Sequence, residues 1–123
     1  MMPQQYKLIF GNVEIGIVEE TNADFPNFWG KFDPLPATGH PETYRRIQAY
    51  IAYSRQRDGL LAQGDGPGSQ WEKFMLQNEP RFRDLIECDA WWLVDAAGQR
   101  HPILVPNFRV DGVVWRLDPS RDK

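Results

Sequence analysis

His40 and His101 are the only histidines in the 123-residue chain, so any histidine-based mechanism must use one of them. A histidine beside a carboxylate is a common general base in hydrolases, and Asp95 is the aspartate that we consider as its partner. His40 precedes a predicted helix and His101 follows a predicted turn, where histidines are often simply hydrated. These residues suggest a hydrolase site but complete no known motif.

No motif for metal, cofactor or nucleophilic chemistry accompanies the histidines. They do not form a pair one helical turn apart, and the single cysteine, Cys88, excludes a thiol zinc site and an internal disulfide. No serine stands in a Gly-x-Ser-x-Gly elbow. The glycine-rich residues 64–68 lack the lysine and serine or threonine of a phosphate-binding loop. We therefore expect neither a metal nor a cofactor.

The tryptophans are the other side chains that stand out. Trp91 and Trp92 are adjacent in a predicted strand, so they point to opposite faces of a sheet and one of them must cover the face away from the core. A large exposed aromatic patch often marks an interface, although core packing and loop cover remain the alternative explanation. The residues that could contact a partner are Trp29, Lys31, Trp91, Trp92, Trp115 and Arg116.

The composition limits the classes of partner. A formal net charge of −3 argues against nonspecific binding to nucleic acid, although Arg109, Trp115 and Arg116 could in principle stack on a single strand. No apolar run is long enough to cross a membrane, and the first residues lack the features of a signal peptide. We expect a cytoplasmic protein that binds neither nucleic acid nor membrane.

The N-terminal third predicts three strands. Residues 6–10 and 13–18 alternate apolar and polar side chains around Gly11-Asn12, which indicates a tight antiparallel hairpin. The polar residues 21–24 are expected to break the second strand before Pro26. Residues 27–33 then predict a third strand, with Phe28 and Phe32 facing the core, Trp29 and Lys31 facing away, and Phe25 fastening the turn.

The middle of the chain predicts two helices. Pro41, after Thr38-Gly39-His40, suits a first helical position, and the apolar residues that follow fall on one face together with Ser54. Ser69 and Glu72 form a capping box for a second helix, which Pro80 should kink or split.

The C-terminal third returns to strands at residues 90–95, 102–110 and 113–117. Pro102 and Pro106 predict an interrupted or edge strand, and Asp111-Gly112 predicts a tight hairpin. The fold class is therefore α+β, with a mainly antiparallel sheet of five to six strands, in the order strands-helices-strands, and two helices packed on one face. Residues 1–123 form a single domain, with loose ends at residues 1–5 and 119–123.

Short segments at both ends carry a resemblance. They are Gly16-Ile17-Val18, Asp24-Phe25-Pro26, Gly30-Lys31-Phe32-Asp33-Pro34, Val110-Asp111-Gly112 and Trp115-Arg116. Together they resemble a group of small uncharacterised bacterial proteins with an Asp-Phe-Pro segment, a Gly-x-Phe-x-Pro segment and a closing Asp-Gly hairpin. The resemblance covers the two ends but not the helical middle, and it implies no activity.

Two hypotheses about function follow. The first is a noncatalytic interaction protein of the immunity or accessory kind, which binds an unknown protein or associates with itself through a tryptophan face or an edge strand. The alternative is a small hydrolase that uses His101 or His40 with a nearby aspartate. The absence of a catalytic motif and the surplus of tryptophan favour the first, and enzymatic activity remains an open question.

Overall fold

The computed structural model describes residues 4–24, 26–36, 39–64 and 66–120. The described strands are β1 Gln5–Phe10, β2 Val13–Asp24, β3 Asn27–Pro34, β4 Trp91–Val94, β5 Arg100–Pro102, β6 Asn107–Arg109 and β7 Gly112–Arg116. The described helices are α1 Pro41–Leu61, α2 Gln70–Asn78 and α3 Arg83–Ile86, and a 3₁₀ turn, Glu79–Phe82, joins the last two.

The described strands form one antiparallel sheet in the order β5-β4-β1-β2-β3-β7-β6. The α+β class is confirmed, but the sheet has seven strands where five to six were predicted. The difference arises around the strand predicted at residues 102–110: β5 ends at Pro102, β6 begins at Asn107, and the segment between them contains Pro106. Proline cannot donate to a strand ladder, so this is where the chain leaves one neighbour and joins another.

The sheet curls until the chain after β5 meets the chain after β7. Ile103, just after β5, forms an isolated antiparallel bridge with Leu117, just after β7. Two further backbone bonds support it: Leu104 N–H donates to the Arg116 carbonyl at 3.0 Å, and Asp118 N–H donates to the Pro102 carbonyl at 3.0 Å. The face inside the curl holds the core, and the opposite face is turned outward.

The prediction that residues 21–24 break the second strand is wrong. β2 continues to Asp24 and pairs with β3 through Asn22 opposite Trp29 and Ala23 opposite Phe28. The register shifts between Glu20 and Asn22, so Thr21 is the extra residue of a bulge. Polar residues are compatible with this extension because the end of the hairpin is exposed.

Glycines mark the closest approaches within the sheet. A Cβ on Gly16 would lie 2.4 Å from the Phe32 ring, and one on Gly112 would lie 2.3 Å from the Gly30 carbonyl oxygen. Phe28 and Phe32 pack against the core as predicted, whereas Phe25 lies outside the described residues.

The hairpin between β6 and β7 turns at Val110 and Asp111. Gly112 is not part of the turn, because it already belongs to β7 and pairs with Arg109 of β6. Gly112 therefore serves backbone packing and not the turn.

Helix α1 covers the free edge of β6. Ser54 is buried, and its Oγ accepts from Phe108 N–H at 2.7 Å and donates to the Phe108 carbonyl at 3.0 Å. The Tyr50 hydroxyl donates to the Pro106 carbonyl at 2.8 Å, and burial raises the pKa of Tyr50 to about 12. Arg55 Nε donates to the Arg109 carbonyl at 3.2 Å. The helix thus supplies the partners that another strand would have supplied.

The helices in the middle of the chain begin and break where the sequence predicted. Helix α1 begins at Pro41, and Ser69 caps α2 by accepting from Glu72 N–H at 3.1 Å. The Glu72 carboxylate accepts from Gly68 N–H at 3.1 Å, so the reciprocal half of the capping box is displaced by one residue. The 3₁₀ turn at Pro80 divides the second predicted helix into α2 and α3, as expected for a residue that lacks an amide donor.

The termini are only partly described. Gln5 begins β1, and the Gln4 carbonyl accepts from Glu20 N–H at 2.8 Å, so the sheet already includes these two residues. Residues 119–120 form a turn, while residues 1–3 and 121–123 of the predicted loose ends lie outside the described residues. Among the described helices, none combines the length and the apolar character that a membrane span requires.

Candidate functional site

The paired tryptophans of β4 point to opposite faces, as their adjacency predicted. Trp91 is 0% exposed and donates its indole N–H to the Leu85 carbonyl at 2.8 Å. Trp92 is half-buried on the outer face, where the Arg100 guanidinium lies 5.5 Å from its ring centroid. Trp115 is 3% exposed and stacks on Phe28. A partner therefore cannot reach the ring of Trp91, and Trp115 acts mainly in packing.

Three adjoining cavities lie around Arg109 and Val114, which line all of them. Their volumes are about 290, 410 and 120 Å³. We call this continuous surface the Arg109 groove. Besides Arg109 and Val114, the groove is lined by side chains that include Asn27, Trp29, Arg57, Asp58, Leu61, Trp71, Leu104, Asn107, Asp111 and Arg116.

Strand alternation positions the sheet side of the groove. Phe108 pairs with Val113 and both are buried, so Asn107 and Arg109 on either side of Phe108 point outward. Val114 likewise points outward between two buried residues of β7. Trp29 pairs with Val114 from β3, which brings one of the predicted binding residues into the groove.

Three arginines give the groove its charge. Arg57 donates to the Asn107 side-chain oxygen at 2.6 Å, and Arg116 donates from Nε to the Asn27 side-chain oxygen at 2.7 Å. Arg109 Nε lies 3.7 Å from the Asp58 carboxylate. Asparagine is an uncharged acceptor, so the first two bonds orient the guanidinium groups without neutralising them.

The remaining predicted binding residue, Lys31, lies elsewhere. It is exposed on β3 opposite Glu19 and does not line the three cavities of the groove. The structure thus brings Trp29 and Arg116 to one surface, keeps Trp91 and Trp115 buried, and leaves Lys31 and Trp92 on other parts of the outer face.

His101 and Asp95 meet at the other edge of the sheet. His101 Nε2 lies 2.8 Å from Asp95 Oδ2, and Asp95 Oδ1 accepts from the amides of Ala97 at 3.0 Å and Gln99 at 2.9 Å. The hydrogen bond with His101, followed by that from Gln99, lowers the pKa of Asp95. The carboxylate therefore stays charged to a lower pH than usual while it holds both a turn and a histidine.

Tyr6 adjoins this pair. Its ring lies edge-on to His101, with centroids 6.1 Å apart. Burial, together with the charges of Glu20 and Asp95, raises the pKa of Tyr6. His40 is separate: it is exposed at the start of α1 and its side chain makes no capping hydrogen bond. Among the described residues, the structure thus places an aspartate beside His101, whereas His40 is exposed.

Protonation of Asp95 yields a testable pH dependence. Its pKa in the folded protein is lower than the ordinary value of 3.8, so its charge stabilises the fold above that pH and the contribution is lost as the pH falls through the lowered pKa. Asp95→Asn keeps an oxygen for the turn but removes the charge. We expect thermal unfolding to show a lower Tm for the variant at pH 7 and a gap that narrows below about pH 4. A gap of equal size at pH 7 and pH 3 would contradict this assignment.

Sequence reasoning missed Arg57, Asn107 and Trp71 as parts of one surface. The outward alternation of Asn107 and Arg109 was visible in the sequence, but the packing of α1 beside β6 was not. Within the described ranges, no three His, Cys, Asp or Glu residues are grouped so that they could hold a metal ion.

Searches against protein-family models, curated proteins and solved structures find no match to this chain. The Arg109 groove and the pair formed by His101 and Asp95 are therefore the observations that bear on function.

Proposed function

We propose that this protein is a noncatalytic interaction protein that binds a protein partner through the Arg109 groove. The observation that carries the proposal is the junction of three cavities around Arg109, where outward-facing side chains of β6 and β7 lie. Arginine and tryptophan, which both line the groove, are enriched at the centres of protein interfaces. We also propose that it is a cytoplasmic bacterial protein of the immunity or accessory kind, a kinship that rests on size and composition only.

Apolar exposure in the groove supports this function. Leu61 is 41% exposed and Leu104 is 46% exposed, and each lines one of the larger cavities. Burial of apolar surface stabilises a complex by about 25 cal/mol per Å² before the costs of association. Strand addition is a weaker route to a partner, because α1 already bonds to the edge of β6.

Co-purification with matched variants tests the proposal. We expect the tagged chain to retain a partner from a lysate of its source cells, and Arg116→Gln to recover about tenfold less of it, since a lost charged contact costs about 1.4 kcal/mol. Arg45→Gln is the control, because Arg45 is exposed on α1 and does not line the groove. The identified partner should then bind the purified native chain and the purified Arg45→Gln variant more tightly than the purified Arg116→Gln variant.

Two outcomes would count against the function. One is the absence of any enriched protein in repeated experiments with cross-linking. The other is a partner that Arg45→Gln and Arg116→Gln retain equally, which would place the interface on another face. Sedimentation of the purified chain separates a foreign partner from a second copy, since self-association would appear without lysate.

A small hydrolase is the second candidate, and the hydrogen bond between His101 and Asp95 is the observation that favours it. A carboxylate that orients an imidazole is one half of an acid-base site. His101→Asn should then abolish a hydrolytic activity whose pH profile depends on one basic group, while the fold is retained. The simpler role is structural, since Asp95 already organises the turn through two backbone amides.

A further inference from the structure

We propose that the partner segment bound in the Arg109 groove is an extended acidic peptide, with carboxylates on Arg57, Arg109 and Arg116 and apolar side chains on Leu61, Leu104 and Val114. This inference rests on the proposed function and names the chemistry of its partner. It follows from the spacing, the charge and the apolar content of the groove.

The spacing of the arginines indicates an extended ligand. Arg109 pairs with Gly112, and Arg116 lies four residues farther along β7. At about 3.3 Å per residue their backbone positions are separated by about 13 Å along the strand. Arg57 reaches Asn107 from α1. An extended segment of about four residues spans this separation and can contact both arginines, which line one common cavity.

The guanidinium groups retain donors for such a ligand. Arg116 uses Nε and Arg57 uses one terminal nitrogen for their bonds to asparagine, and a guanidinium carries five N–H donors in all. The asparagines hold these two side chains in place before binding. Because neither asparagine is charged, a carboxylate gains the full attraction of each arginine.

Two acidic residues distinguish a peptide from a nucleic acid. Asp58 and Asp111 line the groove beside Arg109. A continuous phosphate chain would place charges against both of them. A peptide can place apolar or basic side chains there and keep its carboxylates for the arginines. Leu61 and Leu104 provide the apolar surface that the intervening side chains need.

Fluorescence anisotropy with defined probes tests the inference on the purified full chain. The probes are a labelled peptide of about twelve residues built from Asp-Glu-Leu repeats, its counterpart with lysine at every acidic position, and an oligothymidylate of about the same length. We expect the acidic peptide alone to bind, and its affinity to fall as salt rises from about 50 to 300 mM.

The variants then assign the site. Arg116→Gln and Arg57→Gln should each weaken binding of the acidic peptide about tenfold, which is the loss of one charged contact, while Arg45→Gln should change it less than about twofold. Circular dichroism and Tm of each variant separate lost binding from lost folding. Arg57 packs over the Tyr53 ring, so Arg116→Gln, at an exposed position, is the decisive variant if Arg57→Gln is unstable.

Three results would overturn the inference: equal binding of the lysine peptide, Arg116-dependent binding of the oligothymidylate, or no binding of the acidic peptide at low salt. If the acidic peptide fails while partner recovery from lysate still depends on Arg116, the interaction function stands and the partner chemistry is wrong. If the acidic peptide binds but no partner is recovered from lysate, the groove binds acidic peptides as inferred, and the result counts against the proposed interaction function.

Discussion

Trp91→Ala is expected to lower the free energy of unfolding by about 3–5 kcal/mol, the range typical of a large aromatic removed from a core. The Trp91 ring is fully buried and joins three elements. It lies 5.0 Å from the Phe10 ring in β1 and 6.2 Å from the Tyr50 ring in α1, and it donates to the Leu85 carbonyl in α3. Truncation removes these contacts and leaves that carbonyl without its indole donor.

Trp92→Ala is the matched control. Trp92 is the same residue type one position along the same strand, but it is half-buried on the outer face and packs under Arg100. We expect it to cost about 1 kcal/mol, from partial burial and one cation–π contact. The contrast isolates the effect of the face of the sheet from the effect of the residue type.

Urea unfolding followed by far-ultraviolet circular dichroism measures both variants, because tryptophan fluorescence would change with the substitution itself. The denaturant dependence should stay the same while the midpoint falls far more for Trp91→Ala. Equal midpoints for the two variants would contradict the burial of Trp91. The same experiment bears on function, since neither tryptophan lines the Arg109 groove and folded Trp92→Ala should bind a partner normally.

Ser54→Ala is expected to lower the free energy of unfolding by about 2–4 kcal/mol. The Ser54 hydroxyl satisfies both the N–H and the carbonyl of Phe108, which is itself fully buried. Alanine leaves both backbone groups without this partner, and an unsatisfied buried group costs about 1–3 kcal/mol. For a domain of this size, we expect Tm to fall by about 8–16 °C.

Ser120→Ala is the control for Ser54→Ala. The Ser120 side chain is exposed and bonds only locally to Asp118, so its removal should change stability by less than about 0.5 kcal/mol. A change in Tm of under about 2 °C for Ser54→Ala would show that water or a shifted backbone replaces the hydroxyl.

Ser54 also connects stability to the proposed site. It orients β6, whose outward residues Asn107 and Arg109 line the groove. Folded Ser54→Ala should therefore bind the acidic peptide more weakly than the native chain at the same temperature.

Local patterns in the sequence determined most of the elements. Alternation predicted β1 and β3, a positive φ at Gly11 was foreseeable from its turn, and Pro80 marked the split between α2 and α3. These features depend on steric limits of neighbouring residues, which are visible in a short window of sequence. The opposite orientation of Trp91 and Trp92 followed from the same local geometry.

Only the tertiary structure decided which of the two tryptophans is inside, how the sheet closes and where a ligand could bind. Trp91 is buried because β4 pairs with β1 in the register that sets it against Phe10. The Arg109 groove unites Arg57 of α1 with Arg109 and Arg116 of the hairpin formed by β6 and β7, because α1 packs beside β6. The packing of a helix against a distant hairpin depends on burial summed over the whole core, so no local pattern of residues reveals it.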